Sequence, residues 1–111
     1  MNWKTLTSLS QLDDILATSS ERPQVIFKHS TRCHISRAVK SNFVNEWSGG
    51  PDDIDVFYLD LLEHRDVSNA IMNKLNVRHE SPQIILIKNG KAVYHDSHNA
   101  IEAGALRDAL A

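Results

Sequence analysis

Residues 83–96 leave this chain little freedom. Gln83-Ile84-Ile85-Leu86-Ile87-Lys88 is the most strand-like run in the sequence, and Asn89-Gly90 follows it directly, ahead of a second extended run from Lys91 to Asp96. An Asn-Gly pair between two such runs signals a type I′ turn, because both central residues must take positive φ. The expected product is an antiparallel hairpin near the C-terminal end.

Gly and Pro divide the rest of the chain at Pro23, Gly49-Gly50-Pro51, Pro82, Gly90 and Gly104. Ser8 with Gln11 three residues later reads as a capping box, and Leu9, Leu12, Ile15 and Leu16 then recur at helical spacing, which predicts a helix over 9–18. Val25-Ile26-Phe27, between Pro23 and the polar His29-Ser30-Thr31, suits a buried strand. A second helix is expected to start at Cys33, with Ile35, Ala38, Val39 and Phe43 on its core side, and to stop before Gly49. Val56 to Leu59 reads as another buried strand. Val67, Ala70, Ile71 and Leu75 mark a helix ended by Asn76, and residues 100–110 a terminal helix. The order is α-β-α-β-α-β-β-α.

Strands joined through helices tend to run parallel, and the hairpin makes the last strand antiparallel. The expected fold class is α/β: a thioredoxin-like three-layer α/β/α arrangement, with a mixed four-stranded central sheet, helices on both faces and an added N-terminal helix. At 111 residues the chain is expected to form one domain, 1–111. Hydrophobic residues at 41% and charged residues at 23% argue against disorder. The 12 Lys+Arg against 14 Asp+Glu are evenly spread, so neither nucleic acid nor a membrane surface is an expected partner. The longest apolar run, Ile84 to Ile87, is far short of the ~20 residues of a membrane helix, and Met1-Asn2-Trp3-Lys4 carries no apolar signal core. The cytoplasm is the expected location.

Cys33 is the single cysteine, so an intramolecular disulfide is impossible and any redox chemistry is monothiol. It falls where a strand ends and a helix is expected to begin, where the helix dipole favours thiolate over thiol. Ser30 and Thr31 can bond free amides there, and Arg32, His34, Arg37 and Lys40 crowd cations around the thiol. At about 100° per residue, Cys33, Ser36, Arg37 and Lys40 share the face opposite the apolar stripe, which argues against a mere packing cysteine. Ser36, in the spacing Cys33-x-x-Ser36, can hydrogen-bond a thiolate but cannot expel a mixed disulfide. Ser81-Pro82, opening the Gln83 strand, is the second element: a proline at such a place can be cis.

Four segments, Met1-Asn2-Trp3-Lys4, Ser30-Thr31-Arg32-Cys33-His34-Ile35-Ser36, His79-Glu80-Ser81-Pro82-Gln83 and Ser97-His98, resemble the YtxJ-type general-stress proteins. These are thioredoxin-like monothiol bacilliredoxins of the bacillithiol system. The resemblance spans essentially the whole chain, and the H-E-S-P-Q string is its most specific part. It implies that Cys33 attacks protein mixed disulfides with bacillithiol and carries the small thiol away. It also implies a cis-proline facing the cysteine, with the backbone of Ser81 free to pair with an extended substrate. The family's cysteine is commonly followed by proline, where this chain has His34.

The expected roles are then nucleophile for Cys33, thiolate stabilisation for Thr31, Arg32, His34 and Ser36, and substrate binding for Arg37, Lys40, His79, Ser81 and Pro82. No bound cofactor is expected, and bacillithiol is the expected co-substrate. The expected partners are a low-molecular-weight thiol and S-thiolated proteins. The six histidines, at 29, 34, 64, 79, 95 and 98, show no metal-ligand spacing, although His34 and His79 are expected near the cysteine. Asp13, Asp14 and Asp60 read as solvated or capping groups, and no phosphate loop occurs. A non-enzymatic thiol-binding or sensing module, or an iron-sulfur ligand shared between chains, is the rival reading. The chain lacks the C-G-F-S string of cluster-binding monothiol glutaredoxins. The surroundings of Cys33 predict a thiol that titrates below the free-cysteine value of about 8.5. The ultraviolet absorbance of the thiolate, followed against pH, measures it, and a midpoint at or above that value would return Cys33 to a packing role.

Overall fold

A computed structural model describes residues 2–30, 38, 41, 43, 55–97, 101 and 103–110. Strands β1 (Asn2–Thr5), β2 (Gln24–His29), β3 (Asp55–Asp60), β4 (Gln83–Lys88) and β5 (Lys91–Ser97) form one sheet in the order β1-β3-β2-β4-β5. The helices with described bounds are α1 (Leu9–Thr18), α2 (Arg65–Leu75) and α3 (Ala103–Leu110). Among these residues no helix is long and apolar enough to cross a membrane.

The expected helix 9–18 forms with its predicted limits, and its cap is a variant of the expected box. Gln11 N donates to Ser8 Oγ at 3.2 Å, but the Gln11 side chain reaches one residue further back, where Oε1 accepts from Thr7 N at 2.9 Å. Gln11 Nε2 also donates to Thr5 O at 2.7 Å, so this residue joins the helix to the strand before it. Asn76 closes α2 in the left-handed region at φ 54°. Asn89 and Gly90 both have positive φ, 53° and 72°, as the hairpin requires.

Three expectations are corrected. The sheet has five strands, because Asn2–Thr5 adds a parallel edge strand to β3, and the N-terminal helix therefore follows a strand. This segment has little apolar signal of its own. It is held by Leu6, fully buried and donating its amide to Tyr58 O at 2.8 Å, and by the Lys4–Asp55 ion pair at 3.5 Å. Second, β4 runs antiparallel to β2 although a helix precedes it. Residues 76–82 carry the chain back past α2, with Val77 buried in the core, so β4 starts at the end where β2 and β3 finish. Third, Ala38 is helical but exposed while Phe43 is buried; five residues apart, they stand about 140° apart on a helix and cannot share its core side.

Alternation along the strands divides the core in two. Ile26, Phe57, Leu59, Ile85 and Ile87 pack with Leu12, Ile15, Val67 and Ile71 beneath α1 and α2. Val25, Phe27, Val56, Ile84 and Leu86 pack on the other face with Phe43, Ile101 and Leu106. Trp3 covers that second face, its ring edge-on to Phe27 and Phe43 with centroids 5.9 and 6.4 Å away. Phe27 has no exposed surface and packs against the rings of both Trp3 and Phe43, so Phe27→Ala is expected to cost about 3–5 kcal/mol, read from denaturant unfolding.

Candidate functional site

Alternation also places Lys28. It follows Ile26 by two residues on the α1/α2 face, and its side chain is fully buried. Its ammonium lies 3.5 Å from Ser68 O in α2 and 3.3 Å from His79 Nδ1. Burial lowers its pKa from 10.5 to about 8, so at neutral pH it is still mostly charged. A charged lysine only donates, so Nδ1 of His79 accepts, and the neutral ring then carries its proton on Nε2. Ser68 Oγ, 3.4 Å from the same Nδ1, is the second group holding the ring. The His79 pKa is lowered, first by desolvation and then by the Lys28 charge, against a smaller opposing effect of Glu80.

Beside this cluster lies an open cleft of about 280 Å³ lined by Leu61, Arg65, Ser68, Asn69 and His79. Leu61 N donates to His29 O at 3.0 Å, so the cleft adjoins the end of β2. On the other flank of β2, Lys28 pairs with Gln83, which brings the start of β4 to the same end. The Ser81–Pro82 peptide there is cis; Pro82 is buried and Ser81 half-buried. Ser97 Oγ donates to Glu80 Oε2, joining this segment to the end of β5, and Gln83 Nε2 donates to Arg78 O at 3.0 Å.

Of the expected site residues, His79, Ser81 and Pro82 thus gather at the sheet end from which the chain leaves β2. Thr31, Arg32, Cys33, His34, Ser36, Arg37 and Lys40 lie outside the described residues. His95 is exposed on β5, and among the described residues no group of three metal-ligating side chains occurs. Asp60, expected to be solvated or capping, is buried and accepts from Leu62 N at 3.1 Å. His29 is buried too, its ring 5.2 Å from that of Tyr58.

Residues 4–106 match the family of the monothiol bacilliredoxin BrxC. The chain belongs to that family. A thioredoxin-fold oxidoreductase of known structure is 32% identical, with a TM-score of 0.80 over 96% of this chain and 92% of its own. The thioredoxins of Malassezia sympodialis and Fasciola hepatica share the fold at 16% and 15% identity, with TM-scores of 0.71 and 0.67. They match over 99% of this chain each, and over 88% and 96% of their own lengths. As a bacilliredoxin the chain is a monothiol redox protein with a thioredoxin-like fold and a thiol oxidoreductase-like role.

Sequence reasoning missed Lys28, because a charged residue after Val25-Ile26-Phe27 reads as the strand's end. The period of two was the available signal: a residue two places after a core isoleucine points the same way. For Lys28, burial disfavours the charged form, so its folded-state pKa is below its unfolded value. The folded state therefore carries a penalty that is full below pH 8 and is relieved as pH rises toward 10.5, where the unfolded state binds more protons. Denaturant midpoints of wild type and Lys28→Met should accordingly move in the wild type's favour between about pH 8 and 10.5. In the same variant, NMR titration should find the His79 pKa raised, because a cation beside it has gone.

Proposed function

We propose that this chain removes a low-molecular-weight thiol, bacillithiol in the first instance, from protein mixed disulfides. The observation that carries the reading is the match of residues 4–106 to monothiol bacilliredoxins in a chain whose single cysteine is Cys33. In the reaction the Cys33 thiolate attacks the small thiol's sulfur. A disulfide forms between them, the old disulfide breaks, and the protein's sulfur leaves as thiolate and takes a proton. One disulfide replaces another, so no outside oxidant is needed. A second low-molecular-weight thiol then regenerates Cys33.

Thr31, Arg32, His34 and Ser36 stabilise the thiolate, and Arg37 and Lys40 meet the small thiol. The Ser81 backbone pairs with the extended substrate. The bond between Cys33 and its cargo persists because position 36 offers a hydroxyl rather than a thiol. Such a cycle belongs in a reducing compartment, in keeping with the cytoplasm.

Intact mass after exposure to oxidised bacillithiol tests the reading. Wild type should retain one adduct and Cys33→Ser none. Ser36→Cys should expel the adduct and end two hydrogens lighter, through an internal disulfide. Wild type that takes up no bacillithiol would overturn the reading.

A further inference from the structure

A lysine is rarely kept in a protein interior unless something opposite in charge offsets its lost hydration. Lys28 is fully buried, and among the described residues no carboxylate forms an ion pair with it. The same holds of Arg65, which is exposed in the first turn of α2 at the mouth of the cleft. Among the described residues the rest of the lining adds the Asn69 amide, the Ser68 hydroxyl and the His79 ring, and no acidic side chain. Glu63 and Asp66 flank Arg65 in sequence without lining the cleft, and Glu80 takes a hydrogen bond from Ser97.

We infer that this cleft is a carboxylate-binding subsite, in which Arg65 and Nε2–H of His79 hold the anion while Lys28 positions the histidine. Lys28 does not touch the ligand. It acts by holding Nδ1 as an acceptor at 3.3 Å, which leaves Nε2 as the donor. The Arg65 guanidinium offers the parallel pair of N–H groups that fits a planar carboxylate. The volume, about 280 Å³, admits a small acid. The inference rests on the proposed redox reading for its ligand, the carboxylate arm of the small thiol in the mixed disulfide. Leu61, bonded to His29, places that arm beside the strand end that leads toward Cys33.

The test has two readouts, on the full reduced chain. In an NMR titration with malonate at low ionic strength, saturable shifts are expected at Arg65, Asn69 and His79. Affinity should fall about tenfold or more in Arg65→Gln, and Lys28→Met should weaken it while changing the ring-nitrogen shifts of His79 from those of a ring protonated at Nε2. Shifts that stay linear in malonate, or an affinity unchanged in Arg65→Gln, would overturn the subsite. In the second readout, Cys33 is thiolated by oxidised glutathione, which carries carboxylates, and by the uncharged 2-hydroxyethyl disulfide. Arg65→Gln should lower the ratio of the two rates about tenfold; a ratio that stays constant while both rates fall together would also overturn it. Malonate binding without any reaction of Cys33 would sink the redox reading and leave the anion subsite standing.

Discussion

The antiparallel pairing of β2 with β4 sets the geometry of everything at the candidate site. With Lys28 opposite Gln83, the strand that leads toward Cys33 and the strand that Pro82 opens meet at one end of the sheet. Parallel pairing would have sent Pro82, Ser81 and His79 to the opposite end. The return of residues 76–82 past α2 makes that pairing possible. It also carries His79 within reach of Ser68 and Lys28 on the way.

That return has an electrostatic consequence. An apolar residue at position 28 would complete the inner face begun by Ile26, and substitution of buried charges by apolar groups often costs nothing or stabilises. The chain instead keeps a cation where water does not reach, and holds it by a carbonyl and an imidazole nitrogen. The arrangement sacrifices stability for a defined ring orientation at the edge of a cleft, the kind of local conflict expected at a functional site rather than in a structural core.

What could be read from the sequence follows the strength of each local signal. The hairpin was legible because Asn89-Gly90 leaves few backbone choices, and α1 because Ser8 and the leucine spacing agree on its start. β1 was not, since Asn2–Thr5 is held by the neighbouring β3 and by Leu6 rather than by its own composition. The direction of β4 depends on a long-range register that no local pattern encodes. Of the candidate site, Ser81, Pro82 and His79 were legible as a string, and the structure brings them to the predicted strand start. Lys28, Arg65 and Asn69 were not, because each looks ordinary in its own segment and acquires a role only when β2, α2 and the segment before β4 are brought together.

At the far end of the sheet the hairpin tip is bound to the end of α1. Asn89 N donates to Ser19 O at 2.9 Å and Gly90 N to Ser19 Oγ at 2.8 Å, while that hydroxyl donates to Leu16 O at 2.6 Å. Exposed turns of this kind are ordinarily where a chain accepts inserted peptide or a new terminus. Here both turn amides are already engaged, and the Ser19 they engage is itself buried. Lengthening the turn would unfasten α1 from the hairpin, so this loop-like dipeptide is a poor place to graft a tag, a label or a second protein.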